Sequence, residues 1–252
     1  MIELVRAELL KVRTTRLWIG MAIGAVGLTG VSTILFLALA NSANAQANGI
    51  HPIVTTEDLR TLVFQASGTL AFVLVLAATM ATSEFRYGTA SGTYLAVPSR
   101  MRVISAKSLA AAVVGLLYGV AAATMTVVIA AIWLAVEGKS VPIGAAVIGA
   151  IGQEGLRCAY GAALAVGVGA ALRSQLVAIL GLLGWLFIIE PLGVALLPRF
   201  AKFMPFAGVG GAFGHGNESA VLFGWAGALG LAVVWIASVW ASAVWLERDR
   251  DV

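Results

Sequence analysis

The chain is 252 residues long, 60% hydrophobic and 11% charged, with a mean hydropathy of +0.97. A water-soluble domain of this length could not cover so much apolar surface with one core, so a soluble globular protein is excluded and a chain embedded in lipid is expected. The net charge of +4 and isoelectric point near 9.6 come from cations that form no continuous basic face, which argues against nucleic-acid binding.

The N-terminal arm, residues 1–16, carries Ile2, Val5, Leu9 and Val12 at helical spacing, with Glu3/Arg6 and Glu8/Lys11 placed to pair at i,i+3. It predicts a helix lying in the membrane interface, with Arg6 and Arg13 reaching toward headgroups. Six apolar runs follow, each long enough to cross a hydrocarbon core as a helix that satisfies its own backbone hydrogen bonds. They are Leu17–Ala40, Leu62–Ala81, Ser108–Val136, Ile143–Leu172, Leu176–Leu197 and Ala220–Leu246, so the expected fold is all-α, a single transmembrane domain of six spans. Ala43-Asn-Ala45 and Ala45-Gln-Ala47 mimic signal-peptidase sites, but the run before them is too long for an ordinary signal sequence, and an uncleaved first span is expected.

Lysine and arginine placement predicts the orientation. With the N-terminus inside, Arg6, Lys11, Arg13, Arg16, Arg86, Arg100, Arg102, Lys107, Arg173, Arg248 and Arg250 are inside. Arg60, Lys139, Arg199 and Lys202 are outside, and Arg157 lies within a span. Both termini are therefore expected in the cytoplasm.

Residues 82–107 form a polar, basic island between the second and third apolar runs, longer than a simple helix connection needs. Ser83 is placed to cap a helical turn, Gly88 and Gly92 permit close backbone approach, and Pro98 ends what precedes it. Phe85, Tyr87 and Tyr94 beside Glu84, Arg86 and Arg100 make a composition suited to a protein interface.

Glu84, Gly88-Thr89, Pro98, Arg100 and Lys107 together resemble the E…GT…P-x-R…K pattern of ABC-2-type permeases, the membrane subunits of bacterial ABC exporters. The resemblance covers essentially the whole chain, because the N-terminal arm, the six spans and the outer loop before the last span fit as well. It implies a coupling helix in 82–107, with Glu84, Arg86, Tyr87, Gly88 and Thr89 contacting a separate ATPase subunit and Pro98 and Arg100 shaping the return to the membrane. It further implies a bacterial plasma-membrane location, a second permease copy or a related permease as partner, and outward movement of a hydrophobic or amphiphilic substrate such as a drug, antibiotic, peptide or lipid. ATP and Mg would be held by the partner. This chain lacks a phosphate-cradling loop: Gly138-Lys-Ser140 is the nearest match, and Trp133 stands where the first glycine is required. No enzymatic activity and no cofactor of its own are expected.

Glu154, Arg157 and Glu190 fall inside predicted spans, where charge is costly, and are candidates for a substrate pathway. Glu154 and Arg157 are spaced to neutralise one another, and Glu190 precedes Pro191, a residue able to break the fifth span. The fourth run exceeds one bilayer crossing, so Ile143–Gln153 is a candidate separate outer segment. Residues 198–219, with Phe200, Phe203, Met204 and Phe206 among glycines, predict a re-entrant outer hairpin; His215 and Glu218 within it do not define a metal site. Gly20/Gly24 and Gly115/Gly119 have the spacing of close helix contacts. Cys158, the single cysteine, precludes an intrachain disulfide and reads as a small buried hydrophobe. Ion- or proton-coupled transport through Glu154 and Glu190 is the alternative function. An intramembrane hydrolase using Ser67 or Ser91 with His51 or His215 is another, although nucleophile and base would have to meet within hydrogen-bond reach.

Overall fold

The computed structural model describes residues 1–40, 52–65, 68–97, 99–141, 143–215 and 224–248, all helices and connections, with no strand among them. The elements are α1 (Ile2–Thr14), α2 (Leu17–Leu39), α3 (Thr56–Gln65), α4 (Thr69–Arg86), α5 (Ala90–Ala96), α6 (Arg100–Val136) and α7 (Ala145–Leu172). Then α8 (Gln175–Gly184) runs through a π-helical turn (Trp185–Ile189) into α9 (Glu190–Leu196). A 3₁₀ turn (Pro198–Phe203), a second π turn (Pro205–Gly210) and α10 (Gly211–His215) precede α11 (Trp225–Arg248). Among the described residues six stretches are long and apolar enough to cross a membrane: Leu17–Leu39, Thr56–Arg86, Arg100–Val136, Ala145–Leu172, Gln175–Leu196 and Ala226–Leu246.

Helices α4, α6 and α7 form the centre. Leu70, Val73 and Leu74 of α4 pack with Ala111 and Tyr118 of α6 and with Cys158, Leu164 and Val166 of α7 in one buried cluster. Small residues decide how closely the helices approach. A Cβ built on Gly115 would lie 2.7 Å from the Cys158 carbonyl oxygen, and one on Gly119 would lie 2.6 Å from that of Glu154, so α6 and α7 cross backbone on backbone. On other faces of α7, Gly169 meets Ala81 of α4 and Gly167 meets Val239 and Trp240 of α11. Helix α2 is fixed to the centre by paired buried hydroxyls, Thr29 with Thr69 and Thr33 with Thr126, each at 3.2 Å. A second cluster, Leu37, Leu59, Val63, Leu134 and Val147, seats α3 at the opposite end from α1. Apolar side chains such as Ile23, Val31, Leu180, Phe187 and Val233 project outward from α2, α8, the first π turn and α11, as lipid-facing residues do.

Several expectations change. Residues 82–107 are not a long loop: α4 continues to Arg86 and α6 begins at Arg100, with α5 between them. Ser83 caps nothing, since it lies inside α4 and its hydroxyl donates back to the Met80 carbonyl at 3.4 Å. The fourth span is one uninterrupted helix, so Ile143–Gln153 is not a separate segment and Glu154 lies well within α7. Pro191 does not break the fifth span. The π turn immediately before it accommodates the missing amide, and the helix continues to Leu196. Gly115 and Gly119 serve an intrachain crossing. Pro98, His51, Ser67, Glu218 and the Ala43–Ala47 stretch lie outside the described residues.

Candidate functional site

At one end of the bundle α1 packs across α6 with Glu8 and Val12 buried, while Arg6 and Arg13 are exposed. This brings Glu8 and Lys11 of α1 to Glu84 of α4 and Lys107 of α6. Lys11 Nζ donates to Glu8 Oε1 at 2.6 Å and to Glu84 Oε1 at 2.7 Å; Lys107 Nζ lies 3.0 Å from Glu8 Oε2 and 2.9 Å from Glu84 Oε1. The four charges alternate around a closed ring and cancel. Lys107, Glu8 and Glu84 side chains are only 7%, 9% and 12% exposed, whereas Lys11 is 51% exposed. Partial burial acts against the charged form of Lys11, but its bonds and attraction to Glu8 and Glu84 outweigh that and raise it above the ordinary lysine value.

Just beyond the ring α4 stops. Gly88 has φ +69°, a conformation that costs glycine little, and the Thr89 amide donates to the Glu84 carbonyl at 2.9 Å in the wrap-around bond of a left-handed helix terminus. Arg86, Tyr87, Gly88 and Thr89 are all exposed, Tyr87 by 71%. Arg86 is held on one side by Gln175, whose Oε1 accepts from its Nη1 at 2.8 Å; Gln175 Nε2 donates to Thr79 at 3.3 Å. Arg100 is half-buried at the first position of α6. The polar island therefore divides into an inward residue, Glu84, and an outward turn, 86–89. Arg173, which ends α7 with φ 55° and sets its guanidinium 5.0 Å above the Phe85 ring, was not singled out by any motif.

Glu154, Arg157 and Glu190 are each engaged. Arg157 grips Glu154 with two parallel bonds, Nε to Oε2 at 2.8 Å and Nη2 to Oε1 at 2.9 Å, as their spacing predicts. Glu154 is fully buried. Glu190, 2% exposed, accepts from the Trp185 indole at 2.9 Å, from the Phe206 amide at 2.8 Å and from the Ala207 amide. It thus fastens the start of the second π turn to the fifth span. Phe206, Val209, Ala212 and Phe213 bury themselves in the central cluster beyond that point. Nothing in the sequence pairs Glu190 with amides 16 and 17 residues later, because backbone donors leave no trace in residue type. Beside this fastening, Leu164, Leu182, Trp185, Pro205, Phe206 and Trp235 line an apolar cleft of about 290 Å³. Among the described residues no group of three or more His, Cys, Asp or Glu side chains could hold a metal.

Residues 4–190 match the family described as ABC-2 family transporter protein. No curated protein matches the chain.

Proposed function

Because the chain belongs to the ABC-2 family of transporter proteins, the membrane components of ABC transporters, we propose that it is the permease subunit of an ATP-driven exporter in a bacterial plasma membrane. Both termini and the ring of Glu8, Lys11, Glu84 and Lys107 face the cytoplasm, in keeping with the positive-inside distribution. A separate ATPase subunit holds ATP and Mg and docks on Arg86, Tyr87, Gly88 and Thr89. Glu84 acts from behind by fixing the end of α4, and Pro98 and Arg100 set the return into α6. The observation that carries this reading is the exposed, structurally terminated turn standing directly on a charge ring that joins three helices. A push on that turn is delivered to α1, α4 and α6 together.

Two copies of the chain, or one with a related permease, complete the pathway. The aromatic cleft beside Glu190 suits the hydrophobic part of a cargo. Glu154, Arg157 and Glu190 contribute to the pathway as a lining whose polar groups are already partnered, Glu154 by Arg157 and Glu190 by an indole and two amides. A cysteine at Thr89 should crosslink to the ATPase subunit in membranes, and Arg86→Ala with Tyr87→Ala should lower substrate-stimulated ATP turnover at least about tenfold while the chain still reaches the membrane. Unchanged turnover in a verified complex would remove the coupling assignment. Transport that persists without ATP and collapses with an ion gradient would replace the exporter reading.

A further inference from the structure

Between α1, the start of α2, α4 and the first residue of α8 lies a cavity of about 460 Å³, within the range of small-ligand sites. Its back wall is the ring. Since Glu8 and Glu84 are each matched by Lys11 and Lys107, those four groups contribute no net charge. Among the described residues of the lining the two remaining charged ones are Arg16 and Arg86, which give that part of the cavity a net positive charge of two. Arg16 is exposed and its guanidinium makes no hydrogen bond or ion pair among the described residues; Arg86 commits one Nη1 bond to Gln175. The rest of the lining is largely apolar, with Leu17, Leu76 and Met80 the principal residues.

The cavity thus has two chemistries. Its cations suit an anion, and its apolar floor suits a hydrocarbon chain, at the level where the first two spans meet their charged end. We propose that this cavity binds an anionic phospholipid, with Arg16 and Arg86 on the phosphate and the root of an acyl chain on Leu17, Leu76 and Met80. Basic pockets between spans take lipid headgroups for the same electrostatic reason. The lipid fills the wedge between α1 and the bundle and so belongs to the structure that carries the coupling turn. The assignment shares Arg86 with the proposed ATPase contact but is argued from the cavity lining, and its test uses this chain without an ATPase subunit, so either reading can fail while the other stands.

The test is native mass spectrometry of the purified full chain, loaded from nanodiscs of phosphatidylglycerol or of phosphatidylcholine. One phosphatidylglycerol per chain should be retained, and phosphatidylcholine should not. Arg16→Gln and Arg86→Gln should each lower retention about fivefold and together about 25-fold, as expected for two independent cations at a membrane surface. Arg13→Gln, an exposed cation at the same end but outside the lining, should leave retention unchanged. Met80→Trp, which keeps both arginines and fills the floor, should also release the lipid. Equal retention of the two lipids, equal loss in Arg13→Gln, or full retention in Met80→Trp would overturn the proposal. So would binding of free glycerol phosphate as tight as that of the lipid, which would make this a headgroup-only anion site.

Discussion

The two ends of the bundle hold their outlying segments by opposite means. At the α1 end, four side-chain charges from three helices close on one another, and no backbone group takes part. At the other end, one carboxylate, Glu190, serves two backbone amides and an indole and faces no cation in its hydrogen bonding. The ring is therefore sensitive to charge balance, while the Glu190 fastening is sensitive to the presence of an acceptor. Burial makes both matter, since an unmatched charge or donor away from water costs more than a matched one gains.

The largest expected effect breaks the ring. Lys107→Met leaves Glu8 and Glu84 sharing the half-exposed Lys11, and removing one partner of a buried ion pair costs about 3–5 kcal/mol. The melting temperature in detergent should fall sharply, while Glu84→Gln combined with Lys107→Met should recover most of the loss by removing opposite charges together. If the double variant is as unstable as the single one, packing at 107 matters and charge balance does not. The next effect belongs to the other end. Glu190→Leu strands the Phe206 and Ala207 amides, at about 1–3 kcal/mol for each unsatisfied buried group. Hydrogen exchange should accelerate over 205–213 and stay slow over 158–166. Glu190→Gln, which keeps a carbonyl acceptor without the charge, should fall between wild type and Glu190→Leu. Identical behaviour of Gln and Leu would mean that charge, not acceptance, is what the segment needs.

The smallest effect is a pH response confined to the ring. Lys11 is raised in the folded protein, so its contribution is complete below the ordinary lysine value near 10.5 and is lost as pH climbs through the higher folded value. A spin label at Leu10→Cys should report immobile α1 through neutral and mildly alkaline pH, with mobility rising only above about pH 10.5. Release already near pH 8 would show that Lys11 does not hold α1.

These contrasts also explain what could be read in advance. Six membrane-crossing stretches were legible because hydropathy alone marks them, and the Glu154–Arg157 pair followed from i,i+3 spacing on one helix. The C-terminal end of α4 and the start of α6 lie beyond the expected bounds because a composition-based boundary stops at the first polar or charged residues. Helix continues past that point when Glu84 and Lys107 neutralise each other from different spans. Both residues were visible in the family pattern; that they touch was not, since it depends on how α1, α4 and α6 come together. Gly115 and Gly119 announced a close helix contact without naming the partner. The Glu190 fastening was illegible for a further reason: its donors are main-chain groups, present at every residue and therefore informative at none.

The crossing of α6 over α7 bears on how such a bundle can move. Helices separated by interleaved side chains can slide a little as rotamers adjust, the usual basis of shear. Where the Cys158 and Glu154 carbonyls occupy the space of the missing Cβ atoms at 115 and 119, there is no side-chain layer to readjust. Sliding of α6 on α7 is thereby opposed by backbone contact, whereas in the fifth span the hydrogen-bond ladder already changes pitch between Trp185 and Ile189, a break in regularity at which a helix can bend.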